Sequence, residues 1–178
     1  MPFEVVMTAS YRSVGRWLRR RAENVASLLL ATMFIAFMIQ IVFRYFLNFP
    51  IGWTSELTII TWLWLVLWGA AFVVKEREEI RFDLIYYAVS ARIRRAMAIV
   101  TALAIIVLYG FSLPAVVDYV TFMKVEATAY LKIRFDYLFS IYVIFALATI
   151  ARYIWILWAQ LRGKPMEEFD ASKVSSGL

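Results

Sequence analysis

Residues Asn24 to Phe43 read NVASLLLATMFIAFMIQIVF, with no charge between Glu23 and Arg44. An α-helix needs about 20 apolar residues to cross the hydrocarbon of a bilayer. No water is available there, so the backbone must bond to itself, which makes this stretch a helix. The run is too long for the apolar core of a cleaved signal peptide, roughly 7–15 residues. An uncleaved first span is expected. Three more stretches qualify: Leu57 to Val74, Ala96 to Val117, and Tyr137 to Leu161, the last interrupted by Arg152. None alternates in polarity as a barrel strand would. The expected fold is all-α: an integral membrane four-helix protein, one membrane domain over residues 1–178, with amphipathic segments at the surface.

Composition agrees. Hydrophobic residues make up 63% of the 178 and charged residues 18%, against roughly 45–50% and 25% in soluble domains. Such an apolar excess cannot hide in so small a core. The chain has no histidine and no cysteine. Histidine-ligated haem, thiolate clusters, most zinc sites, thiol catalysis and histidine-centred triads are therefore excluded. No cofactor is expected. The net charge of +6 sits beside the apolar runs, which points to membrane orientation rather than nucleic acid. Placing the two terminal segments and the second connection in the cytoplasm puts fifteen Lys and Arg inside and four outside. Both termini are expected to be cytoplasmic.

The segments between spans carry their own signals. Tyr11, Val14, Trp17 and Leu18 recur at helical spacing among five arginines, the pattern of a helix lying along the membrane surface. The first connection, Arg44 to Glu56, contains Pro50 and Gly52, which break helices. Its Tyr45, Phe46, Phe49 and Trp53 suit the headgroup boundary. Arg44 ends the first helix and Glu56 falls in the first turn of the second, each favoured by the helix dipole. The two either pair or anchor separately. In the second connection, Ile80, Leu84, Tyr87, Ala88 and Ala91 mark an amphipathic surface helix; the alternative is an extension of the third span. The third span should continue beyond the bilayer into the connection Asp118 to Asp136, with Pro114 a candidate kink. Residues 163–178 read as a disordered tail.

Charged groups at mid-membrane are expensive and kept for function. Arg152 is the one charge inside a span, close enough to the cytoplasmic end to snorkel. Polar side chains are sparse: Ser27, Thr32 and Gln40 in the first span, Thr58 and Thr61 in the second, Thr101, Tyr109 and Ser112 in the third, Ser140, Tyr142 and Thr149 in the fourth. Trp62, Trp64 and Trp68 lie well inside the second span, where tryptophan signals protein packing. Gly69-Ala70-Ala71 follow and permit close helix approach. There is no set of paired carboxylates, no nucleophile with its base and no metal cluster at plausible depth. A helical scaffold is expected, not an enzyme and not a solitary transport pathway.

Residues Arg44 to Asp83 resemble the small, Q-type membrane subunit of tripartite ATP-independent periplasmic (TRAP) transporters. The resemblance rests on Arg44-Tyr45, Trp53-Thr54-Ser55-Glu56-Leu57, Gly69-Ala70-Ala71 and Glu79-Ile80-Arg81-Phe82-Asp83, in that order. Length, span number and orientation extend it over nearly the whole chain. Glu79 stands where the family often has His, and Ser55 where it often has a second acid. The resemblance implies a bacterial or archaeal cytoplasmic-membrane protein. Its partners would be a large many-helix subunit, which moves an organic acid or similar small anion on a sodium gradient, and a periplasmic substrate-binding protein. Sodium and substrate sites would belong to the large subunit. Arg44, Trp53, Glu56, Trp62, Trp68, Gly69, Arg81 and Asp83 are then candidate partner-interface residues, with Arg81 and Asp83 anchoring the cytoplasmic surface helix. Two other readings stay open. One is an accessory or assembly subunit of another membrane complex. The other is a small dimeric proton-coupled exporter, for which Glu56 is the candidate carboxylate.

Overall fold

The computed structural model describes residues 3–49, 51–74 and 90–162. Among these the chain is helical throughout, apart from the connections: α1 (Phe3–Tyr45), α2 (Gly52–Trp68), a π-helical turn (Gly69–Val73), α3 (Ala91–Phe122), a 3-10 turn (Met123–Val125) and α4 (Phe135–Leu161). Four helical stretches are long and apolar enough to cross a membrane: Trp17–Tyr45, Gly52–Val73, Arg92–Val125 and Phe135–Leu161.

Each helix runs further than its apolar core. At 1.5 Å per residue, the 43 residues of α1 span about 64 Å, roughly twice the hydrocarbon thickness. The basic N-terminal stretch is helical, and it continues into the first span without a turn. Arg19 Nε bonds Glu23 Oε1 at 2.8 Å across one turn, and the Arg21 guanidinium lies 5.3 Å from the Trp17 ring centroid. Both contacts are helix-forming spacings at the junction of the basic segment and the first span. At the other end, α2 begins five residues before the apolar run, at Gly52. Gly52 opens the helix instead of breaking it, and Glu56 consequently lies in the second turn, not the first.

α3 passes through Pro114 and continues to Phe122. Proline has no N–H for the carbonyl one turn back; nearby, the Ser112 hydroxyl donates to the Tyr109 carbonyl at 3.2 Å. Arg92, Arg94 and Arg95 already belong to α3, so this part of the second connection is the helical extension. The surface helix expected over the rest of that connection, including Arg81 and Asp83, and the tail 163–178 lie outside the described residues.

The chain divides into two compact units, residues 1–74 with 115–145 and residues 75–114 with 146–178. In the first, α1 and α2 pack antiparallel: Gln40 reaches Ser55 and Ala22 meets Trp68. Ala22 and Ala36 of α1 and Thr54, Thr61 and Ala71 beyond them are buried. Small residues at these positions let the backbones approach. Ile141, with no exposed surface, Leu138 and Val120 complete this core. In the second unit Ala102, Ala146, Ile156 and Gln160 are buried.

Candidate functional site

The opening of α2 and the α3–α4 connection form the best-built polar site among the described residues. Chain reversal after α3 comes first. Ala127 and Arg134 make a single antiparallel bridge. The Thr128 N–H donates to the Ile133 carbonyl at 2.9 Å and the Phe135 N–H to the Glu126 carbonyl at 3.0 Å. The Ile133 N–H donates to the Thr128 hydroxyl at 3.1 Å, and Thr128 is buried. Closing so short a loop puts Lys132 in the left-handed region, at φ 54°.

That reversal aims successive N–H groups outward from the bridge, and Glu56 receives them. Its Oε1 accepts from the Tyr130 N–H and its Oε2 from the Leu131 N–H, both at 2.9 Å. The Thr128 hydroxyl and the Ala129 N–H add to the donors around the carboxylate. Two acceptor oxygens matched to two adjacent donors is a strong, orienting arrangement. It ties together residues 74 and 75 positions apart in sequence. Gly52, one turn earlier on α2, lies under the Tyr130 ring; a Cβ there would overlap the ring atoms.

The neighbouring motif residues divide the remaining work. Thr54 is fully buried and its hydroxyl donates to the Ile51 carbonyl at 3.1 Å. Ser55 accepts from the Gln40 amide at 2.8 Å, so the serine at the position where an acid is common joins α1 to α2. Trp53 is exposed. Arg44 lies over its neighbour Tyr45, 5.9 Å from the ring centroid. Arg44 and Glu56 thus have different partners, and Glu56 holds a loop that the sequence did not connect to it.

The three tryptophans of α2 also separate. Trp64 Nε1 donates to the Leu138 carbonyl of α4 and Trp68 Nε1 to the Ala22 carbonyl of α1, each at 3.1 Å. The protein packing expected around them is thus supplied, for these two, by the chain itself. Trp62 is 55% exposed. Gly69, within the π-helical turn, has open space where a Cβ would sit.

Span hydroxyls are turned back onto their own helices. Ser27 donates to the Glu23 carbonyl, Thr32 to Leu28, Thr58 to Thr54, Thr61 to Leu57 and Ser140 to Tyr137, at 2.7–2.9 Å. Satisfied this way, they offer little to a passing solute. No group of three or more His, Cys, Asp or Glu side chains placed to hold a metal ion occurs among the described residues.

Four long apolar helices define the class: a multi-pass membrane protein. The family model "Tripartite ATP-independent periplasmic transporters, DctQ component" matches residues 33–163, about three quarters of the chain, and the chain belongs to that family. The C4-dicarboxylate TRAP transporter small permease protein DctQ of Vibrio cholerae serotype O1 is 29% identical over 105 residues, covering 56% of this chain and 45% of that protein. The match therefore spans under half the length of this curated relative. The family is a transporter component.

Proposed function

We propose that this chain is the small scaffold subunit of a sodium-driven, binding-protein-dependent importer of an organic acid or similar small anion. It supports a large many-helix membrane subunit and helps a periplasmic substrate-binding protein to dock. Both termini would be cytoplasmic, following the Lys and Arg distribution. A C4-dicarboxylate is the relevant substrate class for the Vibrio cholerae relative, and an acid of that kind fits the reading.

The observation that carries the proposal is the Glu56 clamp. A carboxylate that spends both oxygens on the backbone of a distant connection serves rigidity rather than proton exchange. It favours a support role over a proton-coupled exporter. With the α3–α4 connection held against the start of α2, the exposed side chains of Trp53, Tyr130 and Arg44 are the proposed contacts with the binding protein. Trp62 and the open surface at Gly69 are the proposed contacts with the large subunit. Trp68 acts there through the packing of α2 on α1, and Arg81 and Asp83 anchor the cytoplasmic side.

Uptake by cells expressing the whole transporter tests this. Glu56→Ala at normal expression should lower uptake several-fold and reduce recovery of the large subunit with this chain. Wild-type uptake and recovery would remove Glu56 from the role.

A further inference from the structure

The described part of the second unit, residues 90–114 and 146–162, contains five arginines and no acidic residue. Two of these arginines are held at the end of α4. Arg95 of α3 donates through Nη2 to the Leu161 carbonyl at 3.2 Å, where α4 ends with carbonyls that lack helical partners. This brings the Arg95 guanidinium beside the residue that follows, Arg162. The Arg162 N–H bonds the Trp158 carbonyl at 3.1 Å, keeping the last turn helical. Its guanidinium then lies 3.7 Å from the Trp158 ring centroid. Stacking occupies the faces of the guanidinium and leaves its in-plane N–H groups free to donate. The Trp155 ring lies 5.6 Å from that of Trp158, and the two are 67% and 46% exposed.

We infer that this end of α3 and α4 binds the phosphate of an anionic phospholipid. Arg95 and Arg162 supply the charge, and the Trp155–Trp158 pair is the surface along which the acyl chains lie. Two arginines set at one helix end, one of them stacked so that its in-plane N–H groups stay available, suit an anion. Exposed indoles at the end of an apolar 27-residue helix place that anion at headgroup depth. The positive end of α3, with Arg92 in its first turn, adds to the field. A free anion would use the arginines alone; the tryptophan pair selects a lipid. The inference does not depend on which membrane protein accompanies this chain.

The test is native mass spectrometry of the full chain, purified in mild detergent and offered phosphatidylglycerol or phosphatidylcholine of matched chains. Wild type should retain phosphatidylglycerol preferentially. Arg162→Gln should lower retention about fivefold, the effect of one basic residue at an anionic surface, and Trp158→Leu, which removes the stacked ring, should lower it as well. Trp158→Phe, which keeps a ring face, should restore most of it. Lys124→Gln, a change at the opposite end of α3, should leave retention unchanged. Equal retention of phosphatidylcholine, unchanged retention in Arg162→Gln and Trp158→Leu, or an equal loss in Lys124→Gln would overturn the inference. Stripping of the lipid by millimolar inorganic phosphate would also overturn it, in favour of a free-anion site.

Discussion

Glu56 meets the Tyr130 and Leu131 N–H groups with one oxygen each, and an amide cannot copy this. In Glu56→Gln the side chain offers one acceptor oxygen and turns an NH2 toward a donor. One backbone N–H therefore loses its partner. Hydrogen exchange at Tyr130 and Leu131 should quicken in Glu56→Gln while exchange in the middle of α2 stays slow. Unchanged protection at both amides would show that the connection holds itself without the carboxylate. At Gly52, a Cβ overlaps the Tyr130 ring, but the ring is largely exposed and can swing away. Gly52→Ala should cost about 1 kcal/mol, the low end of overpacking, and should show as increased exposure of Tyr130. Trp64→Phe removes the donor to the Leu138 carbonyl. Interhelical hydrogen bonds in membranes are worth roughly 0.6–1.7 kcal/mol, so the unfolding free energy in detergent should fall by that amount and the midpoint move to lower denaturant. No shift would mean the indole acts by packing alone.

The connections and helix ends are where local sequence signals were weakest. The four spans were legible because charge-free length is a one-dimensional property. The ends of α1 and α2 were not. Pro50-Ile51-Gly52 reads as a break, yet Gly52 is the first residue of α2, and the Tyr130 ring lies where its Cβ would be. Arg19–Glu23 and Trp17–Arg21 carry α1 through a stretch that composition marks as a separate surface segment. The Trp-x-x-Glu pattern was visible, but the partner of Glu56 lies 74 residues away and no periodicity announces it. Lys132, at φ 54°, illustrates the same point in a turn. A side chain with a Cβ is disfavoured in that region by roughly 1–2 kcal/mol. Lys132→Gly should therefore leave the loop intact and raise its resistance to proteolysis, whereas Lys132→Val should lower it. Equal resistance in all three would show that the backbone there is not constrained.

At the scale of the whole chain, the four membrane-crossing stretches are 6–17% buried over their most apolar windows. Most of that apolar surface must be covered by lipid tails or by other helices. The hydroxyls of Thr32, Thr58 and Thr61 bond to their own backbones, and Trp64 and Trp68 join helices of the same chain. Such a molecule offers a large partner a stiff apolar flank and a fixed loop. Affinity purification of the full chain in mild detergent, followed by identification of the co-eluting membrane protein, tests this most directly. The account predicts a many-helix transport subunit recovered in stoichiometric amount, and less of it with Trp62→Ala. Recovery of this chain by itself, or with a membrane complex that transports nothing, would contradict it.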